Sequence, residues 1–474
     1  MNQDKQSCRH NAMTMYKKLQ ALGFVINNEK SVVIPCQRIV FFGYILDSVL
    51  FMVFLPEEKI QKIISKASKL LHQDSVRIRD LASFIGLLIN AFHAVLEAPL
   101  HYRSLERLKV EGLSLFGDYN AVLKLTDLAT NEIEWWVKNI RAKNGKKIRQ
   151  DSISTWIQCD ASNAGWGCFH VDSSVTVGGR WTRREMIYHI NYLELLAIFF
   201  ALKSLFSKHR DIHIGIQSDN TTAISYVNKM GGMCSPDMDN LAKQIWSWSL
   251  ERNIFLSAFH LPGCNNLQAD FASRNFSDTT EWKLKEDIFN RLSKHFMQPN
   301  IDLFASRLNK QLDCYVSWMP DPGAWAVNAF SLNWKGLEPY IFPPFNLLSK
   351  VLNKIMEDEV EEALLICPFW PNQTWFPLFL HSLICLPIRL PRHRDLLRMV
   401  HNQQLHPMGK QLCLIGGLVS GCRSRIEEFQ KGLLTRFSRA GGLELGNSIR
   451  QRGGSGLCGV VSGAVIPFHP LKRI

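Results

Sequence analysis

Four acidic residues in the middle of the chain stand where the predicted secondary structure would bring their carboxylates together. Asp160 ends a predicted strand, and Asp219 ends another. Glu194 lies in the first turn of an apolar helix, and Asp270 begins a short helix. Side chains beyond the ends of neighbouring strands meet at one edge of an open sheet. Clustered carboxylates repel one another unless they bind hard cations such as Mg²⁺. Two such ions, roughly 3.5–4 Å apart, can activate a water and stabilise the leaving oxygen in phosphodiester hydrolysis.

Each acid also has an ordinary structural explanation. Asn191 with Glu194 three residues later fits a capping box, and Asp219 could cap the helix that follows it. Asp270 could be a first-turn acid favoured by the helix dipole, and Asp160 could begin a turn. The combination of the four, rather than any one of them, favours a metal site.

The elements that must position these acids are predicted from hydrophobic periodicity between residues 151 and 280. Strands are predicted at 155–160, 165–171, 175–181, 213–218 and 255–261, and helices at 192–208, from 221, at 236–252 and from 267. This order of strands and helices predicts an α/β fold with a mixed five-stranded sheet and helices packed on its faces.

The flanking segments predict separate domains. Before the middle segment, the pattern predicts a helix at 13–23, strands at 24–27, 39–45 and 49–55 with a turn at Asp47-Ser48, helices over 57–140, and a basic linker at 143–149. After it, residues 281–400 are rich in Trp and Pro, with a strand at 363–367. The glycine-rich tail from 411 lacks periodicity, which indicates a flexible or degenerate segment.

The composition excludes several classes of protein. The chain has 474 residues, enough for about three domains, and 46% of them are hydrophobic, which excludes a disordered chain. None of the twelve cysteines forms a CxxC pair, which argues against a zinc ribbon and favours a reducing compartment. The longest apolar stretch, 39–55, contains Asp47, so no membrane span is expected. We therefore expect an intracellular protein, in the cytoplasm or nucleus, that is not secreted.

The formal charge of +13 is unevenly distributed. Residues 1–150 carry a net charge of +8, residues 151–280 a net charge of −2, and the remainder +7. Basic flanks around an acidic centre suit a cation-dependent nuclease that holds a nucleic-acid backbone. A merely solubilising charge is the alternative.

Four motifs of the middle segment resemble the ribonuclease H domain of retroelement reverse transcriptases, in order and in spacing. They are CDASNAGWGC, INYLELLAIFFAL, IQSDNTTAISYVNKMGG and HLPGCNNLQADFASR. The resemblance implies metal-binding catalytic roles for Asp160, Glu194, Asp219 and Asp270. It implies substrate-binding roles for Ser162, Asn163 and Asn220. It also implies two Mg²⁺ ions (or Mn²⁺), no small-molecule cofactor, and hydrolysis of the RNA strand of an RNA–DNA hybrid to 3′-hydroxyl and 5′-phosphate ends.

One departure from that family concerns histidine. The family often carries a histidine in the loop before its last aspartate, whereas the loop here, 263–266, has none. His260 lies earlier, on a predicted strand, where a packed structural role is expected. Slower product release with competent acids is the expected consequence.

The flanks carry resemblances of their own. LGFVINNEKSVVIPCQRIVFFGYILDS resembles the end of a reverse transcriptase palm, with Phe42 and Gly43 at the hairpin that holds the primer terminus. The polymerase Tyr-x-Asp-Asp motif is absent, so DNA synthesis by this chain is not expected. IDLFASRLNKQLDCYVSW and YIFPPFNLL resemble a relic of an adenine-N6 methyltransferase in DIRS-type (tyrosine-recombinase) retrotransposons. Phe342 replaces the polar residue before its Pro-Pro, so methyl transfer is not expected.

The sequence thus predicts a retroelement fragment with five parts: the end of a palm at 1–56, a helical thumb and connection at 57–150, a ribonuclease H-like domain at 151–280, a degenerate methyltransferase-like module at 281–400, and a flexible or degenerate tail at 401–474. Two alternatives are a non-catalytic nucleic-acid-binding remnant and a domesticated interaction protein.

Overall fold

The computed structural model describes residues 4–276, 281–401, 403–409, 411–438, 457–461 and 463–471. The helices are α1 (Lys5–Ala21), α2 (Glu57–Leu71), α3 (Ile78–Ala91), α4 (Arg103–Phe116), α5 (Asp127–Asn139), α6 (Ile190–Phe206), α7 (Thr221–Asn228), α8 (Pro236–Leu250), α9 (Leu267–Arg274), α10 (Glu286–His295), α11 (Leu348–Glu357), α12 (Phe376–Ser382) and α13 (Arg423–Ser438). None of these described helices is both long enough and apolar enough to cross a membrane.

The strands are β1 (Arg38–Phe41), β2 (Tyr44–Asp47), β3 (Met52–Phe54), β4 (Val76–Arg77), β5 (Val122–Leu123), β6 (Lys146–Lys147), β7 (Thr155–Ala161), β8 (Gly165–His170), β9 (Val175–Arg180), β10 (His213–Ser218), β11 (Phe255–His260), β12 (Trp282–Leu284), β13 (Ile301–Asp302), β14 (Val316–Ser317), β15 (Ala326–Val327), β16 (Pro339–Ile341), β17 (Ala363–Pro368), β18 (Ile388–Arg389), β19 (Leu397–Met399), β20 (Leu414–Val419), β21 (Cys458–Val461), β22 (Ala464–Pro467) and β23 (His469–Pro470).

The chain forms two compact units. The first comprises Met1–Ile153 and Ser225–Trp248, and the second comprises Ser154–Ile224 and Ser249–Ile474. In the first unit, one face of α3 enters an apolar core, as its periodicity predicts. The buried residues of that face include Leu81, Phe84, Ile85, Leu88 and Ala91.

The N-terminal strands differ from the prediction in where they turn. The predicted strand 39–45 is wrong, because Phe42 and Gly43 adopt positive φ values of 50° and 74° and separate β1 from β2. Two consecutive residues of positive φ suit a tight hairpin turn. The turn at Asp47 is confirmed, since its Oδ1 accepts hydrogen bonds from the Val49 and Leu50 N–H groups. Residues 24–27 form no strand.

A buried ionic network lies in the first unit. Asp239 of α8 is 1% exposed and lies 2.9 Å from Nη2 of Arg107 and 3.7 Å from Nε of Arg103, both on α4. The same arginines donate to the carbonyls of Lys229, Met230 and Gly232 at 2.6–2.9 Å. The network therefore fixes the 229–232 turn and α8 to α4.

The second unit contains a five-stranded mixed sheet in the order β11-β10-β7-β8-β9. β10 is parallel to β11 and β7, whereas β7, β8 and β9 are antiparallel neighbours. The predicted strand 213–218 coincides with β10, and the other four predicted strands each match an observed strand to within one residue at either end. α6 is apolar on all sides because it is buried over the sheet, with residues 193–202 all buried.

A six-stranded sheet, β13-β16-β17-β20-β18-β23, completes the second unit. The predicted strand 363–367 is confirmed as β17. The prediction of an unstructured tail is wrong for residues 414–438, since β20 is buried between β17 and β18 and α13 follows it. The prediction is also wrong for residues 457–461 and 463–471, since β21 pairs with β22 and β23 pairs with β18. Residues 439–456 lie outside the described residues.

Candidate metal centre

Two of the four acids are placed by parallel strands. Asp160 lies near the end of β7, and Asp219 directly follows β10. The register pairs Gln158 with Gln217, so continuing the two strands by two residues brings both aspartates to the same edge of the sheet. This is the arrangement that the sequence predicts for carboxylates at strand ends.

Glu194 reaches this edge from helix α6. The helix begins at Ile190, two residues earlier than predicted, which places Glu194 in its second turn rather than its first. The capping-box explanation for Glu194 is wrong, because His189 is the N-cap and accepts a hydrogen bond from the Asn191 N–H. Glu194 is 5% exposed and accepts a hydrogen bond from the backbone N–H of Ala161.

The structure brings three of the predicted acids together. Asp160, Glu194 and Asp219 each offer a carboxylate oxygen, and these three oxygens lie within 4.8 Å of one another. The first two residues are buried and Asp219 is exposed, so the group is open to solvent on one side. Asp219 does not cap α7, because the Asn220 side chain accepts the Ala223 N–H at 2.9 Å instead.

The three carboxylates are poorly compensated by other groups. Burial, followed by the charges of Asp160 and Asp219, raises the pKa of Glu194 to about 9. Burial also raises the pKa of Asp160 to about 6, although its hydrogen bond with Ser273 acts in the opposite direction. Among the described residues, Oε2 of Glu194 has no hydrogen-bond partner. An unpaired buried carboxylate oxygen beside two further carboxylates fits a hard divalent cation.

Asp270 is oriented differently from the other three acids. Its Oδ1 accepts hydrogen bonds from Nε and Nη2 of Arg274, one turn later on α9, at 2.8 and 2.6 Å. It is not part of the three-acid group, although its charge contributes to the raised pKa of Asp160. A metal-binding role for Asp270 stays a prediction, since it would have to exchange or share the Arg274 contact.

Ser273 supports Asp160 and was not among the residues predicted from the sequence. The Ser273 hydroxyl donates to Oδ2 of Asp160 at 2.7 Å and is fully buried. Its own carbonyl accepts a hydrogen bond from the Ser162 hydroxyl at 2.6 Å. A serine in the ASR tripeptide of a short helix has no distinguishing signal in the sequence. Its role depends on a contact with a residue 113 positions earlier in the chain.

The three predicted substrate-binding residues differ in exposure and in hydrogen bonding. Asn163 is exposed in the β7–β8 turn. Ser162 is buried and engaged with Ser273, and Asn220 is engaged in the α7 cap and with Oδ1 of Asn191. Substrate binding by all three stays a prediction. His260 lies on β11, as expected, but the prediction that it is packed is wrong because the strand end leaves it exposed.

The raised pKa of Glu194 predicts a pH-dependent stability without metal. The pKa of Glu194 is near 4.5 in the unfolded chain and about 9 in the folded chain. The stability that the protonated Glu194 side chain contributes is therefore fully present below pH 4.5 and is lost as the pH rises to 9. We expect Glu194→Gln to raise the free energy of unfolding at pH 8.5 by at least about 1 kcal/mol, because each pKa unit corresponds to about 1.4 kcal/mol. Thermal unfolding in EDTA measures the difference.

The control for this prediction is Glu251→Gln, which changes a 71% exposed glutamate. The gain from Glu194→Gln should shrink as pH falls to 5, and Mg²⁺ should stabilise the wild type more than the variant. An equal effect of the two substitutions at every pH would contradict the prediction.

No protein-family model and no curated protein matches the chain. It is similar to a foamy viral protease-reverse transcriptase solved with double-stranded DNA, at 16% identity and a TM-score of 0.28 over 55% of this chain and 44% of that one. A foamy viral protease-reverse transcriptase solved with RNA/DNA hybrid is 13% identical, with a TM-score of 0.29 over 56% of this chain and 35% of that one. RNase H1 from the halophilic archaeon Halobacterium salinarum NRC-1 is 20% identical, with a TM-score of 0.21 over 25% of this chain and 92% of that one. The match thus spans less than half the length of each of these two foamy viral chains.

Proposed function

We propose that the chain is a ribonuclease H-type endonuclease that hydrolyses the RNA strand of RNA–DNA hybrids. The observation that carries the proposal is the convergence of Asp160, Glu194 and Asp219, each predicted from sequence, within 4.8 Å. Oε2 of Glu194 has no hydrogen-bond partner among the described residues, and burial raises the pKa of this carboxyl group to about 9, so its ionisation is costly unless a cation binds; this favours a functional site over a structural one. Perturbed carboxyl groups of this kind are concentrated at functional sites.

The residues that would hold divalent ions are Asp160, Glu194 and Asp219, with Asp270 as a further ligand. Bound Mg²⁺ would supply charge neutralisation and a water of lowered pKa for phosphodiester hydrolysis. The protein's own groups orient the ligands: Ser273 holds one oxygen of Asp160, and the Ala161 N–H holds Glu194. Supporting hydrogen bonds of this kind fix ligand geometry before the ion binds.

The proposed substrate, an RNA–DNA hybrid, is an A-form helix. Its wide minor groove offers 2′-hydroxyls, and proteins recognise such helices mainly by shape and backbone contacts. The net charge of +8 in residues 1–150 provides an electrostatic attraction to the phosphates. A retroelement origin, of the DIRS type, is part of this proposal and rests on the motifs of the sequence.

The methyltransferase-like origin of residues 281–400 also stays a prediction. Phe342, Pro343 and Pro344 follow β16, and Phe342 lines a small cavity together with Asp302 and Tyr340. The apolar side chain at 342 cannot accept a hydrogen bond from an amino group, so we expect no methyl transfer there.

The experiment is a cleavage assay of the full chain on a labelled RNA–DNA duplex. We expect RNA-strand cleavage with 3′-hydroxyl and 5′-phosphate ends in the presence of Mg²⁺ or Mn²⁺, and none in EDTA. Double-stranded DNA and double-stranded RNA of the same sequence serve as controls. Binding of the hybrid without cleavage in either metal would instead favour the non-catalytic remnant.

A further inference from the structure

Arg307 connects the C-terminal part of the second unit to the strand-to-helix segment that precedes Glu194. It lies in the IDLFASR motif, five residues after β13. Its Nη1 donates to Oε1 of Glu185 at 2.7 Å, and its Nη2 donates to the carbonyl oxygen of Arg180 at 2.7 Å. The guanidinium also lies 4.6 Å from the ring centre of Phe200 on α6. One side chain therefore contacts the end of β9, the following segment and the helix after it.

Further hydrogen bonds fix both partners of the Arg307–Glu185 ion pair. The Arg307 and Glu185 side chains are only 16% and 20% exposed. The backbone N–H of Arg307 donates to Oδ2 of Asp321 at 2.6 Å, which fixes the residue to its own module. The other oxygen of Glu185 accepts the Thr182 N–H at 2.7 Å, which closes the first turn of the segment. A partly buried, two-point arginine contact of this kind is directional, unlike a surface ion pair.

The segment fixed in this way, residues 182–189, exposes groups that suit a nucleic-acid backbone. Arg183 and Arg184 are both exposed, and the exposed ring of Tyr188 stacks on Tyr192 at a centroid distance of 4.1 Å. The segment ends immediately before α6, and Glu194 lies about 6 Å along the helix axis from Ile190, the first residue of α6. Exposed arginines near an acidic site attract the substrate that the acids themselves repel.

We propose that Arg307 is a positioning residue for the nuclease, which fixes residues 182–189 so that Arg183 and Arg184 bind substrate phosphates next to the acidic site. The inference rests on the proposed function, and it makes the segment after residue 281 a working part of that site. The competing explanation is that Arg307 only stabilises the packing of the second unit, in which case its loss would lower stability but leave substrate affinity unchanged.

The experiment measures kcat and KM of the full chain on an RNA–DNA hybrid for five variants: Arg307→Ala, Arg307→Lys, the double variant Arg183→Ala/Arg184→Ala, the triple variant that combines the three alanine substitutions, and Arg210→Ala. Arg210 is the matched control, because it is an exposed arginine before the start of β10, whereas Asp219 follows the end of that strand. Melting temperature and circular dichroism report whether each variant folds.

We expect the double variant to raise KM about tenfold, which corresponds to about 1.4 kcal/mol of lost binding. Arg307→Ala should raise KM at least threefold with kcat within twofold of wild type, and Arg307→Lys should be intermediate because lysine lacks the two-pronged donor. In the triple variant, KM should not exceed that of the double variant, because Arg307 has no arginine left to position once Arg183 and Arg184 have been removed. Arg210→Ala should match wild type.

A wild-type KM for Arg307→Ala would overturn the inference, and so would a triple variant whose KM rise is the product of the separate rises. If Arg307→Ala does not fold, Glu185→Gln provides the test, since it weakens the same ion pair and should raise KM in the same direction. If the wild type does not cleave, the proposed function fails. The same comparison then uses the Kd of the hybrid in EDTA, measured by fluorescence anisotropy, so the two failures are distinguishable.

Discussion

Asp219→Asn is expected to lower Mg²⁺-dependent cleavage of an RNA–DNA hybrid by roughly 10³-fold or more, about 4 kcal/mol of transition-state stabilisation. Asp219 is the exposed member of the three-acid group, so the amide replaces it without disturbing buried packing. The amide has the same shape but no charge, and a hard cation prefers the carboxylate. The loss should therefore appear in kcat, whereas the Kd of the hybrid in EDTA should stay within about twofold of wild type.

The control is Asp313→Asn, which removes the same charge from a fully exposed side chain that pairs with Lys310. Cleavage by this variant should equal that of wild type. Full activity of Asp219→Asn would show that the three-acid group is not the catalytic site, even if the wild type cleaves the hybrid. Restored activity of Asp219→Asn in Mn²⁺ would instead support the assignment, since that ion tolerates weaker ligands.

The middle segment is predictable because its chemistry and its periodicity agree. Hydrophobic periodicity indicates the strands, and an uninterrupted apolar stretch indicates α6, so the sequence alone locates the ends of β7 and β10 to within one residue. Asp160 and Asp219 then follow, because parallel strands end at one edge, and Glu194 reaches that edge from the second turn of α6. The direction of the Asp270 side chain cannot be predicted from strand ends, because Asp270 lies on a short helix whose rotation determines its contact with Arg274.

The glycines of β20 illustrate why the prediction for the tail fails. Gly416 and Gly417 lower strand propensity, so the sequence LIGGLV is typical of a flexible segment. In the folded chain, a Cβ atom at Gly417 would lie 2.8 Å from the ring of Phe379, and one at Gly416 would lie 3.2 Å from Leu292. These glycines are required by close packing against helices α12 and α10, which local sequence cannot reveal.

The second large effect concerns Asp239, whose ion pairs with α4 have no signal in the sequence. We expect Asp239→Ala to lower the free energy of unfolding of the first unit by about 3–5 kcal/mol, because it removes the carboxylate that pairs with the buried Arg103, the partly buried Arg107 and, at 3.7 Å, Lys243. The expected measurement is chemical denaturation of the full chain. The matched control is Asp237→Ala, an exposed acid in the first turn of the same helix.

The network also includes a glycine that cannot be replaced without disturbing it. Gly231 has a φ of 118°, and a Cβ there would overlap Oδ1 of Asp239 and Nη1 of Arg103. The 229–232 turn and the ion pairs thus require each other. Arg103 also donates to the carbonyl of Pro99, before α4. Its removal would therefore break hydrogen bonds to the segment before α4 and to the 229–232 turn.

A double-mutant cycle separates ionic compensation from simple loss of packing. If the cost of Asp239→Ala comes from an unpaired buried cation, then adding Arg103→Ala should cost much less in the Asp239→Ala background than in the wild type. Additive costs would show that each side chain contributes only by packing. A fragment that begins at residue 151 contains Asp239 without Arg103 or Arg107, so the buried carboxylate keeps only its 3.7 Å contact with Lys243 on the same helix. We expect such a fragment to unfold at lower denaturant concentration than the full chain.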